Sequence, residues 1–361
     1  MGKVLVRNMI FCERYEEART ISKAYENFKI HWIDFGESKK VKAKRYVRKQ
    51  SEKCYCVSVY YEFKYKGMFE DYGFVDEWTK QRFPQLIEEL KKSNEKWKVI
   101  QRYSRKINDY HDIFFYENFE NYVKESLSEY LEKIYVMGEI LFAGKYDTGN
   151  FCICFDTYEG NFEMGRFLKK IESLETHIEK IPELCNMKYL MASQIWNWMD
   201  EYYYCKEDDD YSEARVITAY SYVLNRTPFE VLLYAVIGLE SALTDEKEKR
   251  GIKLQLKEIL PRMFAFISEE DVSQMYKMRS EFVHGDIEFP NYYRKGIMRY
   301  EEFKYIEFAR KAKLALVLTI NELVKRNSTK IRIIDNEIVY QKSKTLREAS
   351  AEWDLLEDEL L

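Results

Sequence analysis

The chain has 361 residues, of which 46% are hydrophobic, and this is enough for two domains with buried cores. Acidic residues number 62 and basic residues 58, so the net charge of −4 excludes a protein that coats nucleic acid through an overall positive charge. Seven cysteines in so long a chain indicate reduced thiols rather than a disulfide framework. The first residues lack the layout of a secretory signal, and no apolar run is long enough to span a bilayer. We therefore expect a cytoplasmic protein that does not enter the membrane.

The first half of the chain mixes strand and helix patterns. Runs rich in Val, Ile, Tyr and Phe predict strands at residues 3–12, 29–35, 54–65 and 151–155. Apolar residues at helical spacing predict helices at 76–93 and 118–142. The pairs Cys54/Cys56 and Cys152/Cys154 fall within strand-like alternation, so we interpret them as half-buried strand residues and expect no metal there.

A basic run lies between the second and third predicted strands. Residues 39–53 contain eight Lys and Arg residues, and only Glu52 opposes them. The run is either a strip that contacts phosphates or a solvated loop beside a strand. Its candidate RNA-binding residues are Lys42, Lys44, Arg45 and Arg48.

An acidic stretch at 206–211 is the best candidate for a linker between domains. Before it, residues 1–205 form an α+β domain that either senses a trigger or holds RNA. After it, helices are predicted at 212–225, 228–244, 253–267, 269–284 and 300–326, and they form a helical domain over 212–326. Residues 327–361 contain a predicted hairpin at 330–341, which turns at Asp335-Asn336, and an acidic tail. The predicted fold class is α+β, with a mixed α/β N-terminal domain followed by an all-α bundle.

Two of these helices each place a charged residue within an apolar pattern. At 100° per residue, Arg279 falls in the middle of a broad apolar face of residues 272–283, and Glu240 falls in the middle of a stripe over residues 233–243. A lone buried charge is very costly. We therefore predict that Glu240 and Arg279 face each other or line a shared cleft, either as a structural ion pair or as part of a polar site.

The helix that carries Arg279 ends in a histidine followed by glycine. Gly285 predicts a left-handed C-cap, which puts His284 in the last turn, where the helix dipole stabilises a positive charge. His284 lies about 140° from Arg279 on an ideal helix, so the two do not share a face within one chain. Ser280 and Tyr276 lie on the His284 side. A histidine at a helix end can equally be a capping residue.

The residues from about 229 to 326 resemble a HEPN domain, and the subgroup that they resemble most is the ApeA-like one. The match is carried by residues 238–243 (Gly-Leu-Glu-Ser-Ala-Leu) on the first core helix and 276–285 (Tyr-Lys-Met-Arg-Ser-Glu-Phe-Val-His-Gly) on the third. The hallmark of the family is Arg, a polar residue, and His after four to six intervening residues. Arg279, Ser280 and His284 fit this pattern. The resemblance covers between a quarter and a third of the chain and leaves the N-terminal 205 residues without a relative.

The resemblance implies an all-α bundle that forms a homodimer, so that two Arg/His pairs meet in one cleft. It implies metal-independent endoribonuclease activity without a cofactor, with Arg279 and His284 as catalytic residues and Ser280, Glu240 and Tyr276 in support. Lys277 is an expected RNA contact. Many proteins of this family are toxins or abortive-infection effectors in antiviral defence, which implies a protein or phage-derived trigger.

Two other functions remain open at the level of the sequence. Many HEPN nucleases carry Asn, Asp or His where this chain has Ser280, which leaves room for a non-catalytic HEPN dimer that binds RNA or a protein partner. The third possibility is an interaction scaffold in which the Glu240–Arg279 pair is purely structural.

Overall fold

The computed structural model describes residues 2–34, 37–65, 81, 83–92, 99, 127, 130–155, 189–203, 214–224, 228–245, 248–286 and 300–342. The chain divides into two compact units, one of residues 1–138 and 146–168 and the other of residues 139–145 and 169–361. The architecture is mixed α+β, as the sequence predicts, with strands concentrated in the first unit and helices in the second. Within the described residues, no helix has the length and apolar character needed to cross a membrane.

The first unit is built around an antiparallel sheet. Its described elements are β1 (Gly2–Cys12), α1 (Tyr15–Ala24), β2 (Lys29–Asp34), β3 (Glu37–Lys42), β4 (Lys44–Ser51), β5 (Cys54–Tyr65), α2 (Pro84–Lys92) and β6 (Asn150–Phe155). Four strands form the main sheet in the order β4-β5-β1-β6, and β2 pairs with β3 in a separate two-stranded sheet. The strands predicted at 3–12, 29–35, 54–65 and 151–155 are confirmed to within one residue at each end. The two Cys-x-Cys pairs lie on β5 and β6, as predicted.

One face of the main sheet, which we call the inner face, is packed against α1. Val6 and Ile10 of β1 are fully buried on it, as is Val59 of β5. Arg45 of β4 also points to this side, because its Nη1 donates to the carbonyl of Ser22 in α1 at 2.8 Å. The inner face is therefore the core of the first unit.

The basic run forms strands, so its interpretation as a solvated loop is wrong. It lies on β3 and β4, and β4 is the edge strand of the main sheet. Every side chain of β4 is exposed or half-exposed, so the run lacks the apolar alternation that predicts a strand. The short helix α1 was also not predicted, since it buries only Ala18, Ile21 and Ala24.

The second unit is mainly helical. Its described elements are α3 (Ala192–Tyr203), α4 (Ala214–Val223), α5 (Pro228–Leu243), α6 (Ile252–Met263), α7 (Glu269–His284), α8 (Tyr300–Arg326), β7 (Lys330–Ile334) and β8 (Glu337–Gln341). The predicted bounds of α7 and α8 are confirmed, and those of α4, α5 and α6 differ by a few residues. The predicted hairpin is present as β7 and β8, and Asp335 and Asn336 at its turn both have positive φ.

The second unit also holds α3 and residues 139–145, which the sequence division placed in the N-terminal domain. Asn321 of α8 fixes residues 139–145, because its Nδ2 donates to the carbonyl of Ile140 at 3.0 Å. The predicted acidic linker at 206–211 and the acidic tail beyond residue 342 lie outside the described residues.

Helix α5 packs tightly between α4 and α8. A methyl group added at Gly238 would lie 2.8 Å from Leu316 Cδ1 of α8 and 3.2 Å from the Ala219 Cβ of α4. Such distances leave no room for a side chain, and close packing therefore fixes the position and rotation of α5 in the unit. The same packing therefore fixes the position of Glu240, two residues further along α5.

Helix α7 is held at both ends by local interactions. At its start, Ser268 Oγ accepts from the Asp271 amide at 3.1 Å and Asp271 Oδ2 accepts from the Ser268 amide at 2.9 Å, which is a reciprocal capping box. At its end, Gly285 adopts the predicted left-handed cap with φ 75°, and the amide of Asp286 donates to the carbonyl of Glu281 at 2.9 Å. The helix that carries Arg279 and His284 is therefore well defined.

We expect Asp271→Asn to weaken this anchoring in a pH-dependent way. Partial burial acts to raise the pKa of Asp271, but hydrogen bonds from Lys311 and Ser268 and the charge of Lys311 outweigh it, so the pKa lies below its ordinary value of 3.8. A lowered pKa means that the stabilisation is present above the unfolded-state pKa and is lost as the pH falls through the folded-state value. Urea unfolding at pH 7 should show a loss of about 0.5–1.5 kcal/mol for the variant, the net contribution of a typical hydrogen bond.

The difference between Asp271→Asn and the parent should shrink as the pH falls below about 4, where the parent carboxylate begins to protonate. Gln274→Asn, one turn further along the same helix, is the control, because its amide donates to Glu270 and carries no charge that changes with pH. A stability difference that stays constant from pH 7 to the acid limit would contradict the assignment.

Candidate active site

The predicted ion pair between α5 and α7 is present. Arg279 Nη2 lies 3.6 Å from Glu240 Oε2, and the side chains are 27% and 15% exposed. The separation is that of an ion pair rather than of a short, bidentate hydrogen bond. Each charge therefore offsets the burial of the other, and Arg279 keeps some access to solvent.

Tyr276 completes this cluster one turn before Arg279. The guanidinium carbon of Arg279 lies 5.4 Å from the centre of the Tyr276 ring, within the range of a cation–π contact. Burial raises the pKa of the Tyr276 phenol, and the charge of Glu240 and a hydrogen bond to it raise the pKa further. Tyr276 therefore stays neutral and lies against both charged groups.

The buried stripe of α7 is narrower than the sequence predicts. Met275 and Met278 are buried, but Val283 is 57% exposed and Tyr276 is half-buried. Arg279 therefore lies at the border between the packed and the open side of the helix, and not in the middle of an apolar face. The sequence pattern predicts Val283 as a core residue because its position around the helix shows where the side chain points but not whether another element packs against it.

His284 lies exposed in the last turn of α7, directly before the Gly285 cap. The five-residue separation from Arg279 corresponds to a rise of about 7.5 Å and a rotation of about 140° on a regular helix. The two side chains thus leave the helix in different directions. A single chain presents a fixed guanidinium and, further along, an exposed imidazole.

The other predicted site residues of α7, Ser280 and Lys277, differ in their exposure and contacts. Ser280 is half-buried next to Arg279. Lys277 is exposed and forms an ion pair with Glu281 at 3.6 Å, which in turn accepts a hydrogen bond from Tyr305 Oη at 3.4 Å. Lys277 points away from the Arg279 cluster, because it is two residues before Arg279 and so about 200° around the helix.

The basic candidates of the first unit do not form a single strip. Lys44 and Arg48 alternate with Arg45 along β4, so they lie on the face opposite to it. Arg45 is engaged on the inner face with α1 and lies within 4.0 Å of Glu26. Lys42 is the last residue of β3, which pairs with β2 in a separate two-stranded sheet. A phosphate-binding role therefore fits Lys44 and Arg48 better than Arg45.

An open apolar surface beside the Arg279 cluster was missed by the sequence analysis. Leu233 and Ile237 are half-buried on the same side of α5 as Glu240, and Val283 is exposed on α7. Tyr222 of α4 is also exposed, and its ring stacks on that of Tyr234 of α5 at 4.9 Å. The signal that the sequence offered was the apolar stripe of Leu233 and Ile237, which precede Glu240 on the same helix.

Apart from the Arg279 cluster, a cleft of about 340 Å3 lies between the end of α5, α6 and the β7–β8 hairpin. Its arginines are paired with carboxylates that line the same cleft. Arg250 lies 2.5 Å from Glu248 and 2.6 Å from Glu258, and Arg332 is paired with Asp245. These internal pairs give the cleft a structural explanation, since they join α6 and the hairpin to the end of α5.

The Arg279 cluster is the arrangement with the clearest chemical capacity. Its guanidinium is oriented by a carboxylate and an aromatic ring, and the buried Nε donates no hydrogen bond to any described residue. A buried donor without a protein partner is uncommon, and this Nε remains able to donate a hydrogen bond. Comparison with known proteins adds no assignment: no protein-family model, curated protein or solved structure matches the chain.

Proposed function

We propose that the protein is a metal-independent endoribonuclease of the HEPN type. The single observation that carries the proposal is the Arg279 guanidinium, held by Glu240 and Tyr276 at the edge of α7, with the exposed His284 at the end of the same helix. The resemblance of residues 238–243 and 276–285 to the HEPN motifs supports it. An arginine of this kind binds phosphate, and a histidine transfers protons near neutral pH.

The chemistry follows from these two side chains. The 2′-hydroxyl of the RNA attacks the adjacent phosphorus and gives up its proton to an imidazole acting as base. Arg279 neutralises the extra negative charge on the phosphorane. The bond to the 5′ oxygen then breaks, and that oxygen takes a proton from an imidazolium. The products are a 2′,3′-cyclic phosphate and a 5′-hydroxyl.

A homodimer supplies the missing convergence, because it can bring the Arg279 of one copy next to the His284 of the other, and one imidazole can then take the proton and give it back. Because Arg279 and His284 diverge on one helix, a site that contains both arises where two copies of α7 meet about a two-fold axis. The open apolar surface of Leu233, Ile237 and Val283 flanks the Arg279 cluster and supports this interface. We propose that this surface is the dimer contact.

The shared site can be tested by mixing two inactive variants. His284→Ala and Arg279→Ala each disable one component, so mixed dimers should regain part of the activity that both homodimers lack, once the subunits exchange. Light scattering should show a dimer for the parent and for both variants. Full activity in a protein that remains strictly monomeric would refute the shared site.

The activity itself is tested by incubating purified protein with RNA in excess EDTA and sequencing the fragment ends. We expect cleavage without a divalent metal and fragments that carry 2′,3′-cyclic phosphates. A strict requirement for a metal, or 3′-hydroxyl ends, would rule out this chemistry. Growth arrest on expression in the cytosol, relieved by His284→Ala, would support the further proposal of a toxin or an antiphage effector controlled by a trigger.

A non-catalytic HEPN dimer is the second candidate. Ser280 favours it, because this hydroxyl stands where many nucleases of the family carry a stronger hydrogen-bonding or titratable group. The Arg279–Glu240 pair would then hold α5 against α7 without chemistry. RNA affinity together with an absence of cleavage in EDTA and in Mg²⁺ would select this second function.

A further inference from the structure

The face of the main sheet opposite to α1, which we call the outer face, combines aromatic and basic side chains. The pairing register places Lys44, Tyr60 and Arg7 in one row across β4, β5 and β1, because paired residues of antiparallel strands point to the same side. The second row lies two residues further along each strand and begins with Tyr46 on β4. The third row, two residues further again, runs from Arg48 on β4 to Phe11 on β1. These three rows of the outer face thus present three aromatic rings and three cations.

Two of the rings are exposed to solvent, and Arg7 is held in place beside the third. Tyr46 is 59% exposed and Phe11 is 41% exposed, which is unusual for large side chains on a sheet. The rings of Tyr46 and Tyr60 meet edge to face at 5.4 Å. The guanidinium of Arg7 lies 5.7 Å from the centre of the Tyr60 ring and is fixed by a 3.0 Å hydrogen bond from its Nε to Ser58.

Small residues form the floor of this surface. Ser58 and Cys56 are the β5 residues between the rings, and both are buried beneath their larger neighbours. Phe11 and Tyr46 lie on either side of β5, about 12 Å apart by the spacing of strands and residues in a sheet. One extended polynucleotide strand can therefore contact both rings as it crosses the sheet.

We propose that the outer face binds single-stranded RNA, with bases stacked on Phe11, Tyr46 and Tyr60 and phosphates paired with Arg7, Lys44 and Arg48. The choice of RNA rests on the proposed ribonuclease function. The choice of a single strand rests on the surface itself, because a stacking ring needs an unpaired base. The alternation of rings with cations matches the alternation of bases with phosphates. Glu62 of β5 lies on the same face one row beyond Tyr60, so the three rows end at a carboxylate.

Neighbouring residues of β4 provide matched pairs for the test. Tyr46 and Arg48 lie on the outer face, whereas Val47 and Lys49 are exposed on the opposite face of the same strand. Removing Arg48 or Lys49 changes the net charge equally. Only a ligand on the outer face distinguishes the two variants.

The probe is a short, fluorescently labelled single-stranded RNA with 2′-O-methyl riboses, which cannot be cleaved by 2′-hydroxyl attack. We expect Tyr46→Ala to raise its Kd at least about tenfold, within the range reported for loss of one stacked base. Tyr46→Phe keeps the ring and should bind within about twofold of the parent. Arg48→Ala should weaken binding and flatten the salt dependence by about one phosphate contact.

Lys49→Ala and Val47→Ala should bind the RNA as the parent does. Equal losses for Lys49→Ala and Arg48→Ala would overturn the proposal, since they would show general charge attraction. Parental affinity in Tyr46→Ala, or equal affinity for duplex RNA, would overturn it as well. Binding is read without cleavage, so failure here leaves the proposed reaction standing, and loss of cleavage in EDTA leaves this binding result intact.

Discussion

Replacing His284 by alanine should lower RNA cleavage in EDTA by about 10²–10⁴-fold, the usual contribution of a general acid or base. The imidazole is exposed at the end of α7 and is not part of the core, so the variant should fold normally. Its free energy of unfolding should change by less than about 1 kcal/mol, which is the range for a charge near a helix end. The measurements are initial cleavage rates and urea unfolding on the same preparations.

Gln274→Ala is the control for the His284 experiment, because this half-buried side chain lies about 140° around α7 from Arg279 and contacts Glu270. It should keep the parental rate. A His284→Ala protein that cleaves at the parental rate would remove His284 from the mechanism. A variant that loses activity and stability together would instead indicate a structural role for this helix end.

Replacing Glu240 by alanine should have the largest effect on folding. Arg279 would lose its counter-charge at a position that is only 27% exposed. Removal of one partner of a buried pair costs about 3–5 kcal/mol, and the partial access of water to Arg279 lowers the expected loss to about 2–3 kcal/mol. Cleavage should also fall, because Glu240 orients the guanidinium and stands beside Tyr276. Denaturant unfolding and cleavage rates measure the two effects.

Two further variants separate the positioning role of Glu240 from simple packing. Glu240→Gln keeps the shape and an acceptor oxygen, so it should cost only about 1 kcal/mol and recover part of the activity. Glu240→Ala combined with Arg279→Leu should be less destabilised than the sum of the two single changes, by about 1–2 kcal/mol. Ser241→Ala, one residue further on, should unfold like the parent, since its hydroxyl bonds only to the helix backbone.

An unfolding midpoint of Glu240→Ala equal to that of the parent would show that the ion pair contributes nothing to stability. A cleavage rate that also stays unchanged would separate Arg279 from Glu240 entirely. Together with the His284 result, these measurements distinguish a residue that contacts the substrate, as proposed for His284, from one that acts by positioning Arg279, as proposed for Glu240. The structural scaffold and the nuclease both predict a loss of stability for Glu240→Ala, and only the nuclease predicts RNA cleavage that depends on His284.

The sequence by itself determined most helix and strand bounds in the described residues, because those depend on local chemistry. The ends of α7 follow from Ser268 and Asp271 at one end and Gly285 at the other, which satisfy backbone groups within a few residues. The β7–β8 turn likewise follows from Asp335 and Asn336. The pairing of Glu240 with Arg279 was also predictable, since two lone charges in apolar patterns have few other ways to avoid a large desolvation cost.

The tertiary structure decided how far each residue is exposed and which residues share a surface. Val283 is open and Arg279 lies at a border, because burial depends on what packs against a helix and not on its angular position. Strand β4 carries no apolar alternation, so only its pairing with β5 reveals it as a strand. That pairing separates Arg45 from Lys44 and Arg48, and it brings Tyr46 beside Tyr60 of the next strand. Register of this kind is set by the pairing of the two strands, and the residue pattern of β4 alone does not contain it.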